Sequence, residues 1–557
     1  MHNYDFNNTY GGDGNGYYVY SYVGNYINDQ LNAIAGTPGG CASSVPRNGT
    51  STVSGVGTYP CYSTYTQTFG PHVYGISTMD SGVFGQDNWK ITPRLTLELG
   101  LRWDYEALPP ADPNLTKPVG TFTPYPQLTN NPSDKTNFGP RIGFSYNVDG
   151  AGNTVLRGGY GIYYGRIING ELLSIRFGTG SPNGQYNTQY KVTTTGAPTL
   201  PNIVTSTGAA ATPSSTFLAA NLRDPEVQEY DLELQQALGH GTFFAVSYLG
   251  GLGRELPNFL DLNLNPTQTT INVTISDASG KGPLGPNGTV IQVPQFTGYG
   301  NTALFGSVAT NFQVITEMVS NINSNYNALV AEIQNHSLKS IQFDANYTWS
   351  HSLDFGQNAN TTSTAVNDWY DPYKNPRINY GDSPWNTPNR FVAYAIYSLP
   401  NMRSSSPLKW VVNDWSLDDS FQMGNGLPYT VGVSGFFSAG ILSDWNGGSG
   451  STLIPQIGSN TGRYPRHIVD DVRLQKAITF EGGRSLELMG NFFNIANHQN
   501  IDGLGTTAYK LSGTTATYQG QGTSNPSNNT YLIPTSSNNS GFLFTPRQIE
   551  IAARLNF

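Results

Sequence analysis

The densest gathering of side chains that could do chemistry is the stretch NDWYDPYKNPRINYGDSPWNTP, which holds Asp368, Trp369, Tyr370, Asp371, Tyr373, Arg377, Tyr380, Asp382 and Trp385. Aromatic faces beside carboxylates and a guanidinium suit recognition of a small molecule, a glycan or a peptide, and the acids could hold calcium through oxygen ligands. The same residues could instead fold a long loop on itself and against its neighbours. Trp369, Tyr370, Asp371, Tyr373, Arg377 and Trp385 are the substrate-binding candidates. Catalysis finds no footing: the seven His never pair at ligand spacing, and H-E-x-x-H, G-x-S-x-G and G-x-x-x-x-G-K-[ST] are all missing. The run Gly11-Gly12-Asp13-Gly14-Asn15-Gly16 resembles half a calcium loop without its closing Glu, and a plain turn is the expectation. Cys41 and Cys61 stand in a Gly/Ser/Thr/Pro-rich stretch, where a disulfide closing the loop is expected, with two free thiols as the alternative. Without a His cluster nearby they make no zinc site, so the expectation is neither a metal nor any other cofactor, and not an enzyme.

Composition narrows what must position these residues. Charged residues are 12% of the 557, about half the usual share, while aromatics reach 12% with 34 Tyr, a mix that suits twisted strands joined by polar turns. The net charge of -9 and the lack of a Lys/Arg cluster argue against nucleic acid as a partner. No run of 18 apolar residues occurs, which excludes a transmembrane helix but not a spanning barrel, whose apolar residues alternate with polar ones. The opening MHNYDFNNTYGG has neither a basic nor an apolar signal-peptide region.

That alternation is present. From Arg547 to the end, Ile549, Ile551, Ala553, Leu555 and Phe557 share one face of a strand, with Gln548, Glu550, Arg554 and Asn556 on the other. Six hairpins repeat the design. The first turns at Ile91-Thr92-Pro93-Arg94, with Leu95, Leu97, Leu99, Leu101, Trp103 and Tyr105 on one face; the second turns at Asp149 to Asn153, the third at Gly239-His240-Gly241 and the fourth at His336 to Ser340. The fifth turns around Pro400 to Lys409 and the sixth at Glu481-Gly482-Gly483-Arg484. Each turn is short, at roughly three to ten residues, whereas the connections between hairpins run to about 32 to 75 residues, far beyond ordinary loops of a compact soluble domain. Outer-membrane barrels have this asymmetry, with tight periplasmic turns and long extracellular loops. Trp103, Tyr164 and Trp349 each follow the first apolar residue of their strand by the same interval, a rise of roughly 20 Å that fits an outer aromatic girdle. With Tyr17 to Tyr26 taken as a first strand, the count is 14, and Tyr4 to Tyr10 is a possible fifteenth. Glu98, Arg102, Asp104, Arg157, Asp231, Glu233, Arg473, Glu487, Glu550 and Arg554 then fall to the lumen, because an Arg facing lipid at midplane costs roughly 2 to 4 kcal/mol.

The segments FGQDNWKITPRLTLELGLRWDYEALPP, NFGPRIGFSYNV, VLRGGYGIYYG, DPEVQEYDLELQQAL, YNALVAEIQNHSLKSIQFDANYTWSHSLD, NRFVAYAIYSLP, GNFFNIANHQN and PRQIEIAARLNF resemble, in order, the C-terminal barrel of a TonB-dependent receptor of the Oar-like subgroup. The resemblance implies an all-β, antiparallel outer-membrane barrel of 22 strands that takes up a scarce substrate through extracellular loops, with an internal plug and a TonB box. It implies outer-membrane lipid as surroundings, and the barrel-assembly machinery as a partner reading Ile549, Ile551, Leu555 and Phe557. Residues 1–557 are expected to be barrel alone, about 14 to 15 strands without plug, TonB box or signal peptide. TonB would then engage only through a missing N-terminal region, and the chain would not transport by itself. A surface-exposed structural or adhesive barrel and a soluble secreted β-rich binding protein are the alternatives.

Overall fold

Fourteen strands pair in chain order into one antiparallel sheet: β1 (His2–Asn7), β2 (Tyr74–Thr92), β3 (Leu95–Ala107), β4 (Asn137–Asn147), β5 (Thr154–Tyr164), β6 (Glu226–Gly239), β7 (Thr242–Asp261), β8 (Ile315–Asn335), β9 (Ile341–Asp354), β10 (Asn389–Ser398), β11 (Trp415–Gly424), β12 (His467–Thr479), β13 (Ser485–Phe493) and β14 (Gln548–Asn556). The structure is a computed structural model that describes residues 2–7, 16–20, 23–36, 62–70, 74–118, 122–181, 184, 186–191, 197–205, 213–356, 369–403, 407–436, 445–446, 453–480, 483–522, 529–537 and 545–557. Residues 8–15, with most of the Gly-rich run, and both Cys41 and Cys61 lie outside the described residues.

Register carries one face through the whole sheet. Glu98 lies opposite Gly143, Gly143 opposite Gly159, Gly159 opposite Asp231, and Asp231 opposite Leu249. At the far side Arg473 faces Asn491, Asn491 faces Glu550, and Glu487 faces Arg554. The ionisable groups assigned to the lumen from sequence therefore share a single face, because a strand's side-chain period of two is preserved by every pairing. The opposite face leaves Leu101 53% and Trp349 61% exposed, a favourable arrangement only in hydrocarbon. Asp87, Asp419, Asp470 and Lys476 break the rule: each shares the outward row of an apolar neighbour, Leu99, Val472, Phe421 and Leu488 respectively.

The first strand differs from the sequence expectation. Tyr17 to Tyr26 is not a barrel strand: Tyr17–Val19 pairs with Thr64–Phe69 in a separate three-stranded sheet, and Val23–Ile34 is an α-helix. Val23, Tyr26, Ile27, Leu31 and Ile34 recur with a helical period rather than a period of two. The fourteenth strand is instead His2–Asn7, and its partner is the top of β2, from His2 opposite Met79 to Asn7 opposite Tyr74. Among the described residues, Asp80–Thr92 of β2 pairs only with β3, and β14 pairs only with β13. Both β2 and β14 run towards the short turns, so an antiparallel path joining them takes an odd number of strands that begins and ends with an upward one.

Short turns again mark one end, with one exception. Residues 399–414 between β10 and β11 form a longer connection that contains the helical turn Lys409–Val412. At the other end β7 and β8, with 20 and 21 residues, exceed the roughly 9 to 11 needed to cross a bilayer. Their upper halves carry a loop-built head whose buried clusters include Val273, Ile275, Val293, Trp445, Ile454 and Tyr509. The water-excluded core thus sits beyond the membrane, while the barrel wall keeps its apolar side outward. Leu232→Arg, outward on β6, is expected to cost roughly 2 to 4 kcal/mol in urea unfolding from lipid vesicles, and luminal Asn346→Arg less than about 1 kcal/mol.

Candidate functional site

Three inter-hairpin loops build the roof of the head. A five-stranded mixed sheet has the order Val290–Phe296, Gln268–Ser276, Thr515–Tyr518, Thr507–Ser512, Gly432–Phe436, with two of its four pairings parallel. Parallel neighbours need distant segments, which long loops supply. Tyr509 ties two loops together by accepting a hydrogen bond at its hydroxyl from the Leu284 amide, 2.9 Å away.

On the luminal face of the wall, β2 to β8 line a cavity of about 940 Å³, with Glu98, Arg141, Arg157, Tyr163, Glu229 and Asp231 among its lining residues. Arg157 holds Glu233 at 2.9 Å and also donates to Gln235, while the Arg141 guanidinium lies 4.5 Å over the Tyr163 ring. The floor depends on glycine: a Cβ at Gly159 would come within 2.9 Å of Asp231 Oδ1, and one at Gly161 within 2.8 Å of the Tyr163 ring. Bare backbone at these points lets the acid and the ring lie flat along the wall. Charges of both signs, an aromatic face and exposed peptide groups make this a surface for a polar ligand.

A family model for the outer membrane beta barrel domain matches residues 1–444. The chain belongs to that family. The outer-membrane barrel is also similar in structure to the outer membrane transporter YddB from Escherichia coli (11% identity, TM-score 0.43), covering 82% of this chain and 46% of that one. It is similar to the ferripyoverdine receptor of Pseudomonas aeruginosa bound to ferripyoverdine (12%, TM-score 0.40; 90% and 40% covered) and to the FrpB iron transporter of Neisseria meningitidis (10%, TM-score 0.41; 86% and 45% covered). The chain spans less than half the length of each of these proteins. A comparison with curated proteins found no match.

The sequence-derived loop candidates of the outer-membrane barrel do not converge on one surface. Trp369 is buried beside Ile322 and Leu260 and donates from Nε1 to the Phe355 carbonyl at 2.8 Å. Tyr370 is buried in the head and donates to the Pro294 carbonyl at 3.0 Å, and Tyr373 donates to that of Leu264 at 2.9 Å. Asp371 accepts from the Tyr373 and Lys374 amides, and Asp382 is held by Arg463 at 2.7 Å and His351 at 3.0 Å. These side chains fold the loop against its neighbours, and their carboxylates already have partners. Arg377 and Trp385, the latter 73% exposed, remain on the surface. At the other candidate set, Ile549, Ile551, Leu555 and Phe557 line the outward face at β14, with Ile551 88% exposed. Sequence reasoning missed Arg141, Tyr163 and Glu229, although the parity that placed Arg157 and Asp231 in the lumen reaches them as well.

Buried acids mark the rim where the wall meets the head. Glu106 accepts from the Ile167 amide at 2.8 Å, and Asp224 from Asn137 Nδ2 at 2.5 Å. Burial pushes the Asp224 carboxyl up to about 6, opposed by the Asn137 hydrogen bond and helped by Asp134, Asp80 and Asp104; burial alone pushes Glu171 up to about 7. Folding therefore favours the protonated forms. The stability this brings is complete below about pH 4 and is lost as pH rises through about 6 to 7. Limited proteolysis within residues 165–225 is expected to be faster at pH 8 than at pH 5, and Glu171→Gln should shrink that difference.

Proposed function

We propose that residues 1–557 form the translocation barrel of a TonB-dependent transporter, a binding protein without catalytic chemistry, whose loop head captures a scarce polar substrate and passes it to the luminal wall. The reading is carried by one observation: a cavity of about 940 Å³ with charges of both signs, bare at Gly159 and Gly161 and flanked by Arg141 and Arg157, lies on the luminal face of the wall. Pockets with a few convergent polar groups are the general form of a ligand site. The ordered resemblance of the hairpin segments to TonB-dependent receptors supports the same reading. In that pattern a plug and a TonB box couple the barrel to the inner membrane's proton gradient, and this barrel supplies the binding surfaces.

The candidate substrates are siderophore chelates, cobalamin-like cofactors, oligosaccharides and peptides. Equilibrium binding of the purified, detergent-folded barrel to a panel of these classes is expected to give one class with micromolar or tighter affinity. Arg141→Ala and Arg157→Ala should each weaken that affinity at least fivefold, with heat-modifiable gel mobility retained. Trp385→Ala with Arg377→Ala tests the outer loop: a loss there would make the head a first point of capture, and no change would confine recognition to the wall. Binding to matrix proteins with none to the small-molecule panel would replace transport by the adhesive reading.

A further inference from the structure

The outward face holds a second cavity, of about 610 Å³, that the transport reading does not use. Its walls are Leu474, Leu488, Phe492, Ile549 and Ile551, all in outward rows of β12, β13 and β14, and its lower end is closed by Val411 and Trp415. Val411 belongs to the helical turn Lys409–Val412 in the long connection 399–414, on the side of the short turns. Trp415 donates from Nε1 to the Val411 carbonyl at 2.7 Å, which fixes the turn against the strand. Leu408, Trp410 and Val411 around it are all more than half exposed. Apolar and aromatic side chains at that height suit the zone between acyl chains and headgroups.

A cation stands at the foot of the groove. Lys476 is outward, only 6% exposed, and lines the cavity. Its Nζ donates to the Asn413 and Ala477 carbonyls, and among the described residues it makes no ion pair. An ammonium has three N–H donors, so one is left after these two bonds, and a buried charge without a counter-ion is costly. Lys409 adds a second, exposed cation on the helical turn. An apolar trough open to the acyl region, ending in cations at the inner interface, matches one amphiphile in charge and polarity.

We propose that this groove binds a single anionic phospholipid of the periplasmic leaflet, one acyl chain lying along Leu474, Leu488, Phe492, Ile549 and Ile551 and the phosphate at Lys476 and Lys409. The site is continuous with the lipid-facing wall but differs from it in having a floor and a charge. It steadies the outward side of the paired strands β13 and β14.

The test is native mass spectrometry of the barrel released from nanodiscs of mixed phosphatidylethanolamine and phosphatidylglycerol. Wild type is expected to retain one phospholipid, enriched in phosphatidylglycerol. Leu488→Trp, which fills the groove while keeping an apolar outward side chain, should cut the retained fraction at least fivefold with heat-modifiable mobility unchanged. Lys409→Glu should remove the phosphatidylglycerol preference while leaving a lipid bound. Equal retention in Leu488→Trp, no retained lipid on wild type, or a preference unmoved by Lys409→Glu would each overturn the proposal.

Discussion

Backbone hydrogen bonding in hydrocarbon is the constraint on which the rest of this molecule depends. No water is there to accept a lost peptide bond, so each spanning segment must find its partners in neighbouring strands. The ladder from β2 to β14 does this across thirteen strands, with a register that seldom slips inside the band and does slip in β7, between Gly253 and Leu256, on the way to the head. Among the described residues the ladder ends at Asp80–Thr92 and at β14, where unpaired backbone groups are costly in hydrocarbon.

Once the ladder is fixed, polarity is sorted by face rather than by depth. Burial in a soluble protein means a dry interior, but here apolar side chains face outward and the interior carries Arg157 with Glu233 and Arg102 with Asp104. Those pairs are partly exposed, so each contributes little to stability by itself. Their value lies in a wetted, charged wall that can hold a polar ligand. Two of the outward exceptions meet, a side-chain hydrogen bond joining Asp419 and Asp470, and Lys476 reaches backbone carbonyls at the short-turn end. No structural account emerges for Asp87.

The long loops solve a different problem. They lie in water, where chain entropy favours disorder unless apolar surface is removed, and they meet that cost by pooling side chains from several connections. Val273 and Val293 come from one loop, Ile454 from another and Tyr509 from a third, and Tyr370 from a fourth packs beside them.

The alternation in β3, β6, β9 and β14 was legible directly, because a period of two is a local property of the backbone and survives any pairing. The luminal placement of Glu98, Asp231 and Arg554 followed from it. What the chain could not disclose locally was which distant segments meet. The joining of Gln268–Ser276 to Thr515–Tyr518 across more than two hundred residues, the pairing of His2–Asn7 with Tyr74–Met79, and the burial of Trp369 and Tyr370 against other loops were decided by tertiary packing. A cluster dense in sequence, such as Trp369 to Trp385, was dispersed by the fold, while Arg141 and Tyr163, unremarkable in sequence, were brought face to face. Sequence by itself determined the two faces of the wall, since these depend only on neighbours along the strand. Tertiary structure decided the sites, since these depend on neighbours across it.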